Sequence, residues 1–365
     1  MTRSLRAIGA LISLAGGLLG CAAGAPADVQ FDELAARREA RRDVGAQAYV
    51  KYCALCHGRD AKGYAADNAP SLVSSTFLET ASNGFLAKAI REGRPGTAMS
   101  GYGKGRGGPL DDDGIDAIIT YLRDHNPSST VLSASPVLGD AARGEAVYEA
   151  ACKGCHGTRT TRGTAVQLSN PTLLGTASDA FLRHAVVQGR PGTPMPAFGG
   201  ILIESDIDDV VAAIRSWATP AAAARQNLPE PPRGPAIIHP QGKNPDFTLR
   251  TGLYVPIDDV KKALDEGKRM VIIDARAVPD WYGGHIPGSI SVPYYLFDRL
   301  DDLPKDGTWI MAYCACPHHA SGEVVAELRK RGFPKTAILD EGILVWKQRG
   351  YPMESEPPPP TFQPR

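Results

Sequence analysis

The sequence has no net charge and no block of basic residues. Its 365 residues contain 40 Lys and Arg against 40 Asp and Glu, so the formal net charge at neutral pH is zero. Aromatic residues make up only 7% of the chain and are not interleaved with basic runs. Because a basic surface supplies most of the affinity for a phosphate backbone, we expect no nucleic acid among the partners.

The first residues lack an apolar run long enough for a permanent membrane helix. Arg3 and Arg6 precede the apolar segment 7–19, which is shorter than the roughly 20 residues that a spanning helix needs. A basic start followed by a short apolar run is typical of a secretory signal peptide. The sequence therefore predicts an exported protein.

Cys21 follows this segment in the string Leu-Leu-Gly-Cys, which resembles the bacterial lipobox. The resemblance implies that residues 1–21 carry the lipoprotein signal and that Cys21 becomes a lipidated N-terminus. The alternative is an ordinary signal peptide that is cleaved within residues 22–25 and leaves Cys21 behind. We expect the periplasmic side of a bacterial membrane in both cases, lipid-anchored in the first and soluble in the second.

Cysteine is scarce, and four of the seven copies belong to a motif that occurs twice. Residues 53–57 and 152–156 both read Cys-x-x-Cys-His. Two thiols at this spacing can each form a thioether to a haem vinyl group, while the adjacent histidine is held under the iron. The spacing thus predicts two covalent haem c groups. The predicted attachment residues are Cys53, Cys56, Cys152 and Cys155, and the predicted proximal iron ligands are His57 and His156.

A sixth iron ligand is expected from a string that also occurs twice. Gly-Arg-Pro-Gly-Thr-x-Met ends at Met99 and again at Met195, so these methionines are the predicted distal ligands. His/Met ligation favours reduced iron and suits electron transfer. Arg94 and Arg190 of the same strings could bond haem propionates or be solvated loop arginines.

Zinc binding and thiol redox chemistry are the alternatives for the paired cysteines. A structural zinc site needs four ligands, and each half of the chain offers only two cysteines close together. A thioredoxin-like motif needs a βαβ setting, whereas both copies lie among helical patterns. The two matching methionines favour haem.

The repeat extends well beyond the motifs. Residues 85–99 match 181–195 without a gap, and each repeat closes on a predicted helix, at about 111–124 and 204–217. This arrangement resembles the class I cytochrome c fold over residues 40–126 and 137–219. The resemblance implies two all-α domains in which the first and last helices cross. Residues 22–39 are expected to be an N-terminal linker.

After residue 219 the composition shifts to alanine and proline, which predicts a semi-extended linker over residues 220–246. From residue 254 onward helical patterns alternate with β-branched runs, including strands at 270–274 and 309–313 and a helix from Ser321 to Arg331. This order predicts an α/β domain with a parallel sheet. The proline-rich tail 357–365 is expected to be disordered.

Residues 247–356 resemble the rhodanese family. The matching segments are Asp274-Ala275-Arg276, the Gly-His-Ile-Pro-Gly-Ser string 284–289, the strand that ends at Cys314, and the 339–342 string with Trp346. The resemblance implies that Cys314 is the catalytic residue and carries sulfane sulfur as a persulfide. A loop that leads into a helix N-terminus would lower the pKa of this thiol.

The loop after Cys314 departs from the usual rhodanese pattern. It is one residue longer and lacks the arginine commonly found before Ser321, so His318 and His319 are its only possible cations. A persulfide is therefore as good a sulfur donor as thiosulfate. Three roles are open for Cys316: a second nucleophile, a resolving thiol that forms a disulfide with Cys314, or a small residue packed in the loop.

Together these features predict an exported dihaem c-type cytochrome that transfers single electrons between redox partner proteins. Its rhodanese-like domain is expected to handle sulfane sulfur at Cys314 and to feed electrons to the haems. In the alternative, that domain is a docking or thiol-sensing module without turnover. A sulfurtransferase that works independently of the haems lies between the two.

Overall fold

The structure is a computed structural model that describes residues 27–127, 129–220, 228–233, 236–315 and 318–355. The signal segment with Cys21, the whole predicted tail 357–365 and Cys316 lie outside these residues. The chain divides into two compact units, Met1–Ala40 and Arg41–Arg365. Both haem motifs and the whole α/β region belong to the second unit. No helix in the described ranges combines the length and apolar character of a membrane span.

The first repeat is entirely helical, as the sequence predicts. Two of its helices begin where a polar side chain accepts from a free backbone N–H group: Ser82 accepts from Phe85 N, and Asp111 accepts from Gly114 N. The helices are α1 (Ala27–Tyr52), α2 (Ala54–His57), α3 (Ser75–Thr80), α4 (Asn83–Glu92), a 3-10 turn (Lys104–Arg106) and α5 (Asp112–Arg123). Because α1 begins at Ala27, much of the segment predicted as an N-terminal linker is helical.

The second repeat has the same order of elements. Its caps follow the same rule, since Asp140, Asn170 and Ser178 each accept bonds from the first backbone N–H groups of a helix. The helices are α6 (Ala141–Ala151), α7 (Lys153–His156), α8 (Pro171–Leu174), α9 (Asp179–Gln188) and α10 (Glu204–Ser216). The closing helices of both repeats thus lie within one residue of the predicted bounds.

In each repeat the first and last helices cross at a glycine. A Cβ added at Gly45 would lie 1.9 Å from the carbonyl oxygen of Ala117, and one at Gly144 would lie 1.9 Å from that of Asp209. No larger residue fits at such a crossing without moving a helix. The close approach brings the apolar faces of α5 and α10 into the shared helical core.

The C-terminal region alternates helices and strands around one sheet. Its first half contains β1 (Ile237–Ile238), β2 (Tyr254–Val255), α11 (Ile257–Asp265), β3 (Met270–Asp274), α12 (Val278–Gly283) and β4 (Ile290–Ser291). Its second half contains a 3-10 turn (Asp298–Asp302), β5 (Trp309–Tyr313), α13 (His319–Lys330), β6 (Thr336–Leu339) and α14 (Gly342–Gln348).

The strand order is β1-β3-β5-β6-β2, and β4 also pairs with β3. All pairs are parallel except β1 with β3. Every residue of β3, β5 and β6 is buried, as expected when helices cover both faces of a parallel sheet. Alternate residues supply two apolar cores, with Val271 and Ile273 on one face and Met270 and Ile272 on the other.

Two predicted boundaries in this region are wrong. Strand β1 lies inside the segment 220–246 that the composition predicts as a linker, because Ile237 and Ile238 complete the sheet against Val271 and Met270. Helix α13 begins at His319 rather than at Ser321, since His318 takes the left-handed conformation that precedes the first turn. The folded α/β region therefore begins before residue 247.

Candidate functional site

The first Cys-x-x-Cys-His motif lies at the end of α1 and in the single turn of α2. Tyr49 donates its hydroxyl to the carbonyl oxygen of Gly58, 2.7 Å away, and so ties the helix to the residue after the motif. The Nδ1 atom of His57 lies 2.8 Å from the carbonyl oxygen of Pro70. This bond makes Nδ1 the donor and leaves Nε2 as the atom that could bind a metal.

The second motif reproduces this geometry. Tyr148 donates to the carbonyl oxygen of Gly157 over 2.9 Å, and Nδ1 of His156 lies 2.8 Å from the carbonyl oxygen of Val166. Burial lowers the pKa of both His57 and His156 below the ordinary value, which keeps each imidazole neutral. A neutral imidazole with one oriented nitrogen is the form that ligates iron.

The two methionine strings fold into matching loops. Arg94 N donates to the carbonyl oxygen of Met99 over 2.7 Å, and Arg190 N donates to that of Met195 over 3.1 Å. The methionine N–H groups in turn donate to the hydroxyl oxygens of the threonines two residues before, over 3.1 and 3.2 Å. Each predicted distal ligand thus lies in a closed turn that fixes its backbone.

Each loop also holds a half-buried arginine over an aromatic ring. The guanidinium carbon of Arg94 lies 5.5 Å from the ring centre of Phe85, and that of Arg190 lies 5.1 Å from the ring centre of Phe181. Burial lowers the pKa of both arginines to about 10, and for Arg94 the charge of Glu92 partly offsets this shift. Two half-buried cations of this kind are suited to an anionic ligand.

These features fit two haem c groups. Each repeat supplies two cysteines for attachment, a histidine whose Nδ1 is already bonded and a methionine in a fixed turn. Each also supplies a half-buried arginine, whose positive charge suits a haem propionate. Among the described residues, no three His, Cys, Asp or Glu side chains form a cluster of the kind that holds a metal ion.

The repeats contact one another through the same loops. The hydroxyl of Thr76 donates to the carbonyl oxygen of Gly189 over 2.8 Å, and the side-chain amide of Asn170 donates to that of Pro95 over 3.0 Å. The rings of Phe85 and Phe181 lie 5.1 Å apart between them. Each methionine loop is therefore fixed partly by the other repeat, an arrangement that the sequence repeat alone does not indicate.

The predicted sulfur site lies at the carboxyl edge of the parallel sheet. Cys314 follows β5, is only 2% exposed, and has its Sγ atom 3.4 Å from the hydroxyl oxygen of Ser321 in α13. Its carbonyl oxygen accepts from Ile343 N over 3.0 Å. The thiol is thus held between the first turn of α13 and the loop that precedes α14.

Sequence reasoning missed the side chains that fix His318 in the loop that follows Cys314. His318 has a positive φ of 76°, an unusual conformation for a non-glycine residue. Its Nε2 atom lies 2.7 Å from a carboxylate oxygen of Asp340, which also accepts from Arg250 over 2.7 Å, and its ring lies 4.1 Å from that of Tyr254. The sequence did contain a signal for the contact between His318 and Asp340, because Asp340 follows β6 at the same edge of the sheet as Cys314.

Asp274, Arg276 and His285 of the rhodanese-like motifs support the fold around this edge. Arg276 and Asp274 form a buried ion pair of 2.6 Å, and Tyr313 donates its hydroxyl to Asp274 over 2.9 Å. His285 is buried and stacks on Trp281 with ring centres 4.0 Å apart. None of these contacts involves Cys314, so their role in the structure is to position the strands.

The first haem motif packs directly against the α/β region. Leu55, between the two cysteines, and Ala98, next to Met99, both contact the apolar cores of the sheet. Tyr294 donates its hydroxyl to the carbonyl oxygen of Tyr52 over 2.7 Å and lies 3.0 Å from the hydroxyl of Tyr102. The sequence predicts a semi-extended linker between these regions and does not indicate this contact.

The helical repeats and the sheet define a tandem c-type cytochrome joined to a rhodanese-like α/β domain. Residues 40–122 and 139–212 match the family model of cytochrome c oxidase, cbb3-type, subunit III, and residues 256–349 match the rhodanese-like domain. The chain therefore contains two cytochrome c domains and a C-terminal rhodanese-like domain, as the sequence predicts. Domains of this cytochrome family hold haem c covalently.

Curated relatives match separate parts of the chain. The cbb3-type cytochrome c oxidase subunit CcoP of Azospirillum brasilense is 27% identical over 191 residues, which are 47% of this chain and 61% of that protein. The probable adenylyltransferase/sulfurtransferase MoeZ of Mycobacterium tuberculosis is 31% identical over 97 residues, which are 26% of this chain and 24% of that protein. This chain spans less than two thirds of each of these relatives.

A solved structure also matches the C-terminal region. The solution structure of the rhodanese-like domain of the Alr3790 protein from Anabaena sp. is 29% identical, with a TM-score of 0.27. The match covers 28% of this chain and 79% of that one.

Proposed function

We propose that this chain is an exported dihaem cytochrome c that couples sulfur chemistry at Cys314 to single-electron transfer. The observation that carries the proposal is the contact between the first haem motif and the rhodanese-like domain. Leu55 of α2 packs on the apolar core that contains Cys314 and Ala320, so the sulfur site and the first cytochrome domain share one interface.

The residues that would hold the haems are those in which the repeats agree. Cys53, Cys56 and His57 would bind one group and Cys152, Cys155 and His156 the other, with Met99 and Met195 as distal ligands. When bound, the two haems would supply one-electron redox chemistry. The carbonyls of Pro70 and Val166 orient the imidazoles, and Arg94 and Arg190 are half-buried cations in the methionine loops.

At the sulfur site, the Cys314 thiolate would attack the outer sulfur of a persulfide RSSH and release the thiol RSH. The product is a Cys314 persulfide anion. When this anion and a second thiolate join to form a trisulfide, two electrons are released. Two one-electron centres could take up one electron each. Cys316 is a candidate for that second thiolate. The support from the structure is the 3.4 Å contact between the Cys314 sulfur and the hydroxyl of Ser321, which lies in the first turn of α13.

His318 would replace the arginine that the loop lacks. Asp340 accepts a bond from one nitrogen of its ring, and this bond favours a proton on that nitrogen and fixes the ring. An imidazole held in this way lacks the permanent charge and the forked donors of an arginine guanidinium. We therefore expect a singly charged persulfide to suit the site better than doubly charged thiosulfate.

The second candidate function is an electron carrier whose rhodanese-like domain only docks a partner or senses thiols. The burial of Cys314, which leaves it 2% exposed, favours this candidate because a sulfur donor has to reach the thiol. In both functions the chain exchanges electrons with redox partner proteins. The similarity to oxidase subunits supports such partners, and the signal segment with Cys21 supports a lipid-anchored location on the periplasmic side.

The test is the visible absorption of the oxidised holoprotein after addition of a persulfide under anaerobic conditions. We expect reduced-haem bands to grow with wild type and to be lost in Cys314→Ser. His318→Gln should reduce the rate about tenfold, the effect of losing one charge-assisted hydrogen bond. The exposed His239→Gln serves as its matched control. Equal rates in wild type and Cys314→Ser, or no reduction in either, would favour the electron carrier.

A further inference from the structure

The two cytochrome domains pack on each other in a reciprocal way. Helix α3 of the first domain contacts α9 of the second, and α8 of the second domain contacts α4 of the first. Helices α3 and α8 occupy the same place in the repeat, and so do α4 and α9. Each domain therefore uses the same short helix to contact the helix that leads into the methionine loop of the other domain.

Asn170 connects the second domain to the methionine loop of the first. It is only 5% exposed, and its Oδ1 atom accepts from the backbone N–H groups of Thr172 and Leu173 at the start of α8, over 3.1 and 3.2 Å. This cap determines which end of the amide is the donor, and Nδ2 donates to the carbonyl oxygen of Pro95 over 3.0 Å. Both ends of the amide are thus bonded, one within its own domain and one to the other domain.

The carbonyl that Asn170 contacts lies at the tip of the first methionine loop. Thr97 N donates to the carbonyl oxygen of Arg94 over 3.0 Å, and Gly96 has a φ of 82°, which match a type II turn with Pro95 in its second position. The bond that closes this turn does not use the carbonyl of Pro95, so a partner for that carbonyl has to come from outside the loop. Within the described part of the chain, Asn170 supplies it.

Thr76 makes the opposite connection, from the first domain to the methionine loop of the second. Its hydroxyl donates to the carbonyl oxygen of Gly189 over 2.8 Å and accepts from the guanidinium of Arg190 over 3.3 Å. The central carbon of this guanidinium also lies 5.8 Å from the ring centre of Phe77, the residue next to Thr76. The base of the loop that ends at Met195 is therefore bonded to a helix of the other domain.

The two connections are not copies of each other. Ser74 stands where the second domain has Asn170; it is 4% exposed, and its hydroxyl has no hydrogen-bond partner among the residues that the structure describes. Thr172 stands where the first domain has Thr76, and within the described ranges no bond joins its hydroxyl to the first methionine loop. The two contacts can therefore be removed separately, one for each loop.

We propose that Asn170 positions the loop of Met99 and that Thr76 positions the loop of Met195, so that each predicted distal ligand depends on a side chain from the other cytochrome domain. Both are positioning residues, because neither is itself a predicted ligand. The proposal rests on the methionine ligation in the proposed function. Its consequence is that the two haem sites are built together and are not independent copies.

A methionine loop that loses such a contact should open more often. The loss of one neutral hydrogen bond of a buried side chain changes an opening equilibrium by about two- to tenfold. A methionine whose sulfur is bound to iron is protected from oxidation and becomes reactive only while its loop is open. The rate of sulfoxide formation at Met99 and at Met195 therefore measures the opening of each loop separately.

The experiment treats the oxidised holoprotein with chloramine-T and locates methionine sulfoxide by mass spectrometry of its peptides. The half-buried Met353 of the rhodanese-like domain is the internal reference for the reagent. Asn170→Ser and Asn170→Asp both keep an oxygen that can cap α8 but lose the amide donor, and Thr76→Val keeps the shape of the side chain without its hydroxyl. The matched controls are Thr76→Ser, which retains the hydroxyl, and Thr172→Val, which makes the same change at the equivalent position.

The expected effect appears in the domain that was not substituted. Both Asn170 variants should speed the oxidation of Met99 about two- to tenfold and leave Met195 as in wild type, whereas Thr76→Val should do the reverse. Added imidazole should displace the near-infrared charge-transfer band of methionine-ligated ferric haem correspondingly faster in these variants. Thr76→Ser and Thr172→Val should behave as wild type.

This dependence on the other domain distinguishes positioning from a general loss of stability. A change confined to the methionine of the substituted domain would overturn the proposal, and so would equal speeding at both methionines. Unchanged protection in all variants would overturn it as well. A wild type without the near-infrared band would refute the methionine ligation and the proposal together, which separates that failure from the other three.

Discussion

At the scale of single residues, the arginines of the methionine loops illustrate what burial adds to a motif. In the sequence Arg94 and Arg190 are equally consistent with solvated loop residues and with propionate ligands. The structure half-buries both against phenylalanine rings, and this burial lowers their pKa to about 10, although Glu92 partly offsets the shift of Arg94. A partly desolvated charge is costly, so an anion in the loaded protein would stabilise the fold.

The first prediction concerns this charge in the second domain. Arg190→Met should lower the reduction potential of one haem by tens of millivolts, because removing a buried cation favours the more positive oxidised iron. A change of about 1.4 kcal/mol corresponds to about 59 mV for one electron. The measurement is a redox titration followed by visible absorption. Arg159→Met, which removes an exposed arginine, is the control, and a potential that stays constant or rises would contradict the prediction.

At the scale of elements, a carboxylate joins the first and last helices of the second domain. Asp209 of α10 accepts from the backbone N–H of Asp140 over 2.6 Å and from the guanidinium of Arg143 in α6 over 2.8 and 3.0 Å. These bonds hold the pKa of Asp209 below its ordinary value of 3.8, with the Arg143 side chain as the main cause. The contact thus makes the helix crossing sensitive to acid.

The second prediction is the pH dependence of this crossing. A depressed folded-state pKa stabilises the protein above the unfolded value, and the stabilisation is lost as the pH falls through the folded value. Asp209→Asn should therefore lower the urea midpoint at pH 7 and make it less dependent on pH down to about pH 3. Asp206→Asn in the same helix is the control. Parallel pH profiles for wild type and Asp209→Asn would contradict the assignment.

At the scale of the whole molecule, the contact between the first cytochrome domain and the rhodanese-like domain decides how the parts work together. Tyr294 donates to the carbonyl of Tyr52, which leaves the hydroxyl of Tyr102 as the donor to Tyr294. Burial raises the pKa of Tyr102 and Tyr294 well above the ordinary value, so both hydroxyls stay protonated at neutral pH. The interface therefore keeps its hydrogen bonds across the physiological range.

The third prediction tests this interface with a substitution at a residue that is not a predicted haem ligand. Tyr294→Phe removes the hydroxyl from two hydrogen bonds and should weaken the contact by about 1–2 kcal/mol. Reduction of the haems by persulfide should become severalfold slower, while oxidation by ferricyanide should remain as in wild type. Stopped-flow absorption measures both. Tyr351→Phe, which removes a hydroxyl bonded to Asp258 on the α/β domain, is the matched control, and an equal slowing in both variants would argue against coupling through this interface.

Much of this organisation can be predicted from local chemistry. The haem motifs, the methionine strings, the closing helices and the strands at 270–274 and 309–313 depend on spacing and periodicity, which are properties of short segments. The start of α13 and strand β1 could not be predicted in this way. His318 adopts its left-handed conformation beside Asp340 and Tyr254, and Ile237 and Ile238 form a strand because β3 has an open edge there.

The sequence by itself determined the kinds of domain, because each motif contains within a few residues the groups that its chemistry requires. The cysteine and histidine spacing, the repeated methionine loop and the strand that ends at Cys314 need no distant partner. Tertiary structure alone decided which cytochrome domain meets the rhodanese-like domain. Leu55 is half-buried in that contact and its counterpart Gly154 is exposed, although both occupy the same place in the motif. The physical reason is that burial depends on residues far away in the chain, so two similar repeats can carry different surfaces.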